Sequence, residues 1–145
     1  MRLFISLIGL VILTGTLAAA SPPNLSEDHL RERIDKFHRA FKRGQVDVVI
    51  EMYSSKLRGD SIASPQEREK FKTELQLFIK QEKPILTIKS VDIRGARAIV
   101  KVNASIRLPD GSRENGDIYD LWIFENGDWY FRDGHRTSPE FFPKD

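Results

Sequence analysis

The sequence predicts an α+β domain in which N-terminal helices pack on a curved antiparallel β-meander. Residues 24–83 repeat apolar side chains at helical spacing, whereas residues 84–135 alternate apolar and polar side chains between tight-turn signals. A chain of 145 residues has the length of one domain, and without cysteine its core depends on packing alone.

The first 20 residues have the composition of a secretory signal peptide. Arg2 is their only charge, and the apolar run Leu3–Leu17 is followed by three alanines. The alternative is an uncleaved membrane anchor, but the run is shorter than the ~20 residues that a spanning helix needs. We therefore expect cleavage near Ala20, export to the periplasm or the medium, and no stable membrane anchor afterwards. The mature domain then covers 21–145, with a C-terminal tail at 136–145.

Three helices are expected before residue 84. Asn24 and Glu27 have the spacing of a capping box for the first helix, and the segment 46–57 suggests a short second helix. Ser64 and Glu67 form a second capping box, which starts the third helix. The apolar stripes expected to face the sheet are Leu30, Ile34, Phe37 and Phe41 on the first helix, and Phe71, Leu75, Phe78 and Ile79 on the third.

Two turns predict the register of the β-meander. A two-residue type I′ turn at Asn126-Gly127 pairs Trp122 with Phe131. A three-residue loop at 109–111 independently places Asp120 on the same face, so both turns define one core side. The expected strands are 85–93, 96–108, 114–125 and 128–133. The residues expected on the core side of the last two strands are Ile118, Asp120, Trp122, Phe124, Trp129 and Phe131.

Two segments resemble the nuclear transport factor 2-like (cystatin-type) superfamily. The sequence FHRAFKRGQVDVVIEMYS (37–54) resembles its first helix, the glycine-containing break and the second helix. The sequence LWIFENGDWYFRDG (121–134) resembles its last hairpin. The family also has a short strand after the second helix, and the sequence near Leu57 shows only a weak strand pattern. The resemblance implies a cone with a pocket between helices and sheet, often in a dimer. This superfamily includes ketosteroid-isomerase-like enzymes, dehydratases, cyclases, ligand-binding domains and interaction modules, so the fold alone does not select a function.

Four residues are candidates for acid–base chemistry. In the predicted register, Asp120 and Asp133 face each other on the core side, and repulsion between two close carboxylates raises the pKa of one. Tyr53 can donate a hydrogen bond to an oxyanion, and His135 can carry protons. The simpler interpretations are an arginine between the aspartates, a register that pairs Asp120 with Arg132, a core tyrosine and a solvated histidine.

Aromatic and aliphatic side chains alternate along the last hairpin. The inward aromatic cluster can stack on a flat apolar ligand or can fill the core. The outward set is more apolar than a monomer usually exposes, so we expect a homodimer through this face, or cover by the segment 137–145. The inward cluster is Trp122, Phe124, Trp129 and Phe131. The outward set is Tyr119, Leu121, Ile123 and Tyr130.

Composition argues against several kinds of site. The absence of cysteine excludes thiol chemistry, and His29, His38 and His135 have no metal-ligand spacing, so neither a metal nor a cofactor is expected. A net charge of +2 without a dense basic block argues against nucleic-acid binding.

Three functions remain. The leading hypothesis is an exported domain that binds a small apolar ligand or a protein partner without catalysis. The alternatives are a ketosteroid-isomerase-like isomerase or dehydratase that uses the inward carboxylates, and a dimeric assembly module.

Overall fold

A computed structural model describes Pro22 and residues 24–136. It confirms the α+β class, because helices are followed by one antiparallel sheet in the order β1-β2-β3-β4. The predicted signal peptide and residues 137–145 of the predicted tail lie outside the described residues. The helices are α1 (Glu27–Lys42), α2 (Val46–Glu51), α3 (Ser55–Ser61) and α4 (Pro65–Glu82). The strands are β1 (Ile85–Arg94), β2 (Arg97–Arg107), β3 (Arg113–Glu125) and β4 (Asp128–His135).

The start of α1 differs from the prediction. Ser26 is the N-cap, and its hydroxyl accepts a hydrogen bond from the His29 N–H at 3.1 Å. The Asn24 side chain instead donates to the Gly127 carbonyl at 3.1 Å. The Asn24 carbonyl also accepts from Trp129 Nε1–H at 3.0 Å. Asn24 therefore links the segment before α1 to the hairpin of β3 and β4. This contact is distant in the sequence, so the spacing of neighbouring residues cannot predict it.

The predicted second helix is two helices, α2 and α3, separated by a short bridge to the sheet. Tyr53 forms a parallel bridge with Phe131. The Ser54 N–H donates to the Phe131 carbonyl at 2.8 Å, and the Phe131 N–H donates to the Met52 carbonyl at 2.9 Å. The Ser54 hydroxyl then caps α3 by accepting from the Leu57 N–H at 3.2 Å. The strand expected near Leu57 is thus reduced to one bridge at Tyr53.

The predicted start of α4 is confirmed. The Glu67 N–H donates to Ser64 Oγ at 3.2 Å, and the Ser64 N–H donates to Glu67 Oε2 at 2.9 Å. The helix ends at Glu82, and its C-cap Lys83 has a left-handed backbone with φ of 42° immediately before Pro84. Leu75 is the one buried residue of α4 and is itself 9% exposed, so this helix contributes little to the fully buried core.

Both predicted turns are confirmed, and they determine which side chains face the helices. Trp122 pairs with Phe131, and Val100 pairs with Asp120. Asn126 and Gly127 have φ of 50° and 81°, as a type I′ turn requires. The inner face of the sheet and the helices α1 and α2 enclose one core, whose fully buried members include Leu30, Ile34, Val49, Ile50, Val100, Val102, Trp122 and Trp129.

The predicted pairing of Asp120 with Asp133 is wrong. A β-bulge shifts the register of β4, so that Leu121 pairs with Asp133 while Asp120 pairs with Gly134. Arg132 is the extra residue in the bulge. A tight turn sets the register only as far as the first irregularity, and here the bulge follows the Trp122–Phe131 pair. The glycine rather than the second carboxylate therefore lies opposite Asp120.

Candidate functional site

A cavity of about 330 Å³ lies between the helices and the inner face of the sheet. This volume is at the lower end of the range for small-molecule sites. The polar side chains in its wall are those of Tyr53, Asp120, His135 and Arg136. The apolar wall is formed mainly by Phe37, Phe41, Phe78, Leu86, Ile106, Ile118 and Phe131.

Asp120 is the buried acid of this cavity. Its residue is only 4% exposed, and burial raises the pKa of its carboxyl to about 7. The negative charge of Asp133 acts in the same direction, and no cause that would lower this pKa is found among the described residues. The arginine considered between the aspartates is therefore not opposing the shift. Both protonation states of Asp120 are available near neutral pH, which suits a general acid or base.

Tyr53 lines the cavity together with Asp120. Its ring packs among aromatic rings, with centroid distances of 6.2 Å to Phe37 and 5.6 Å to Phe131. Burial raises the pKa of the Tyr53 hydroxyl above its ordinary value, and the charge of Asp120 adds to this effect. The hydroxyl therefore stays protonated at neutral pH and can donate a hydrogen bond to an oxygen in the cavity.

His135 and Asp133 form a pair at the edge of the site. His135 lines the cavity, and its Nε2 lies 2.9 Å from Asp133 Oδ2. Asp133 does not line the cavity, and its side chain is half exposed. Of the four predicted catalytic candidates, three therefore share the cavity wall, and Asp133 acts on Asp120 through its charge.

Known proteins resemble this chain in structure but not in sequence. No family model and no curated protein matches the sequence. A candidate dehydratase of the NTF2-like family from Streptomyces avermitilis has a TM-score of 0.54 and 11% identity, over 79% of this chain and 96% of that one. SalBIII, an epoxide hydrolase/cyclase-like enzyme, has a TM-score of 0.54 and 13% identity, over 78% and 94%. The protein Rd1NTF2_04 with long sheet has a TM-score of 0.57 and 15% identity, over 74% and 98%.

The chain has the nuclear transport factor 2-like fold. The resemblance of the two sequence segments is thereby confirmed at the level of fold. Identities this low carry no activity from these proteins to this chain, so the function rests on its own cavity.

The aromatic cluster predicted to bind ligand mostly fills the core of this NTF2-like fold. Trp122 and Trp129 are 0% exposed, and Phe124 packs edge-on against Trp129 at 5.4 Å. Only Phe131 of that cluster lines the cavity.

The helices supply the other aromatic walls, and the sequence had indicated these residues only as core stripes. Phe78 on α4 is 38% exposed, yet its ring centroid lies 6.1 Å from that of Phe41 and it lines the cavity. Helical spacing predicts which face turns inward. It does not predict which of the inward side chains border a cavity.

The outer face of the NTF2-like sheet is less exposed than the sequence suggested. Leu121 was expected at the surface, but it is 2% exposed. Tyr119, Ile123 and Tyr130 are half-buried. The Arg33 guanidinium lies 5.5 Å from the centre of the Tyr130 ring. The homodimer through this face remains a prediction, and its alternative, cover by residues 137–145, lies outside the described residues.

The remaining histidines lie apart from the cavity polar groups. His29 Nε2 is 2.8 Å from Asp128 Oδ1, which links α1 to β4. Burial lowers the pKa of His38 to about 4, against a smaller opposing effect of Asp35. Within the described residues, no group of three or more histidine or acidic side chains is arranged to hold a metal ion. In the same part of the chain, no helix is long and apolar enough to cross a membrane.

Proposed function

We propose that the chain is an exported domain that binds a small, largely apolar molecule in the cavity between helices and sheet. The observation that carries this proposal is the cavity itself: aromatic and aliphatic walls surround a space of about 330 Å³ that contains few polar groups. Export rests on the signal-like first 20 residues. Two of the proteins of similar fold named above, SalBIII and the Streptomyces avermitilis protein, are described as enzymes or enzyme-like, which is compatible with an occupied cavity here.

The apolar walls and the few polar groups of the cavity contribute to ligand binding in different ways. Removing apolar ligand surface from water supplies most of the free energy, at about 25 cal/mol per Å². The Asp120 carboxyl and the Tyr53 hydroxyl then orient the ligand, because an oxygen or N–H group on it can replace the water that these groups would otherwise contact. Such a site favours compact molecules with one polar end.

Filling the cavity tests this proposal. Ala104 lines the cavity on β2, whereas its neighbour Ser105 points to the other face of the same strand. Ala104→Phe should therefore weaken binding of 2-naphthol at least tenfold, while Ser105→Phe should leave it within about twofold of the unsubstituted chain. Isothermal titration calorimetry measures both. Equal binding by the two variants would show that the probe sits elsewhere.

A second candidate function is proton-transfer catalysis, and the pKa of Asp120 favours it. The Asp120 carboxylate would take a proton from a carbon next to a carbonyl group. The Tyr53 hydroxyl would donate a hydrogen bond to the oxygen on which negative charge develops, and Asp120 would return the proton to another carbon. This sequence is an isomerisation that leaves the protein unchanged and needs no cofactor.

Catalysis and simple binding differ in their response to the loss of Asp120. If the protein is an isomerase, Asp120→Asn should lower kcat by about 10²-fold or more with little change in ligand affinity. Exchange of the α-hydrogen of 2-tetralone with D₂O, followed by NMR, reports proton abstraction even without a known substrate. An exchange rate in the unsubstituted chain equal to that of Asp120→Asn would leave binding alone as the function.

A further inference from the structure

Gly134 lies beside the buried acid, and the narrow place that a side chain would take there is called the notch below. The bulge in β4 brings Gly134 opposite Asp120, and both residues line the cavity. A Cβ atom at position 134 would lie 3.2 Å from Asp120 Oδ1 and 3.6 Å from Phe131 Cζ. The first distance is closer than most Cβ contacts, so even a methyl group would press on the carboxyl oxygen. The notch is thus bordered by one carboxyl oxygen and one ring edge.

The backbone does not require glycine at this position. Gly127 and Gly111 have positive φ, as their turns demand, whereas Gly134 does not. Gly116 on β3 provides a comparison, because it also lacks positive φ and a Cβ there would meet no atom within 4 Å. What glycine provides at position 134 is therefore space against Asp120.

We propose that Gly134 determines ligand specificity, because its notch admits the hydroxyl or carbonyl oxygen of an otherwise apolar ligand to Asp120 Oδ1. This inference rests on the proposed binding function and names the chemistry of the ligand. The polar end is not an anion, because the negative charges of Asp120 and Asp133 would repel one at this point. The apolar body lies along the aromatic wall that begins with Phe131.

Two probes of nearly equal shape test the notch. In 2-naphthol a hydroxyl replaces the methyl group of 2-methylnaphthalene, so only the first probe can form a hydrogen bond with Asp120. The quantity to measure is the ratio of the two dissociation constants at pH 8. Comparing this ratio between variants cancels the different hydrophobicity of the probes. Gly134→Ala should shift the ratio against 2-naphthol by about tenfold to a hundredfold, the range for one hydrogen bond to a charged group.

Gly116→Ala is the matched control, and its ratio should stay within about twofold of the unsubstituted chain. The outcomes separate the two proposals. If the unsubstituted chain binds both probes and Gly134→Ala leaves the ratio unchanged, the notch is not the polar subsite, although the cavity still binds ligand. If the unsubstituted chain binds neither probe, the proposed binding function is contradicted and the inference falls with it.

A measurement on the unsubstituted chain covers the case in which Gly134→Ala does not fold. In the 2-naphthol complex, the Gly134 α-protons should give nuclear Overhauser effects to the ring protons that flank the hydroxyl. Effects only to the unsubstituted ring would place the hydroxyl away from Asp120 and would overturn the proposal.

Discussion

Replacement of Asp120 by asparagine should remove a large part of the pH dependence of stability. In the fold, burial and the nearby charge of Asp133 favour the protonated carboxyl. The folded chain therefore binds this proton more tightly than the unfolded chain does. The resulting stabilisation is complete at low pH and is lost as the pH rises through the folded pKa.

The size of the effect follows from the pKa values. The pKa of Asp120 rises from 3.8 to about 7, and each pH unit corresponds to 1.36 kcal/mol. Between pH 4 and pH 8, Asp120 should therefore reduce the free energy of unfolding by about 4 kcal/mol. An asparagine side chain cannot ionise, so Asp120→Asn should be more stable relative to the unsubstituted chain at pH 8 than at pH 4 by that amount.

Urea denaturation across pH 4 to 9 measures this difference directly. Asp60→Asn is the control, because Asp60 is an exposed aspartate on α3 and its replacement should not change the pH profile in this way. Parallel stability profiles for Asp120→Asn and the unsubstituted chain would refute the reasoning, since they would show that Asp120 ionises normally in the fold.

Three further predictions concern other parts of the domain. His38→Leu should make the fold more resistant to acid. The fold lowers the pKa of His38 from 6.5 to about 4, so this histidine reduces the free energy of unfolding by about 3 kcal/mol as the pH falls through that range. Acid titration followed by circular dichroism tests this. Ser64→Ala should cost about 1 kcal/mol through loss of the α4 cap, measured by urea denaturation, and an unchanged midpoint would contradict the capping role. If the outer sheet face forms a homodimer, Ile123→Arg should give a soluble monomer in analytical ultracentrifugation, whereas a persistent dimer would reject that interface.

Much of the fold could be predicted because its signals are local. The Asn126-Gly127 turn and the Ser64 cap each need only a few neighbouring residues, and both are confirmed. The bulge at Arg132 has no such signal. It depends on how β4 meets β3, and it changes the partner of Asp120 from Asp133 to Gly134.

The part of the candidate site that depends on local sequence signals could also be predicted. Alternation along β3 placed Asp120 on the inner face, and burial there raises its pKa, as expected from its apolar neighbours. The walls depend on tertiary packing: Phe78 lines the cavity, whereas Trp122 is enclosed in the core. No periodicity in sequence distinguishes an aromatic side chain that fills a core from one that borders a gap.

The central claim is that an apolar cavity holds one acid with a pKa near neutrality. A ¹³C NMR titration of the aspartate carboxyl carbons, with Asp120→Asn used to assign the resonance of Asp120, tests it most directly. The account predicts a midpoint near pH 7 for Asp120, as burial indicates. A midpoint close to the ordinary aspartate value of about 4 would mean that water solvates the carboxyl, and it would contradict both the burial of Asp120 and the acid–base role.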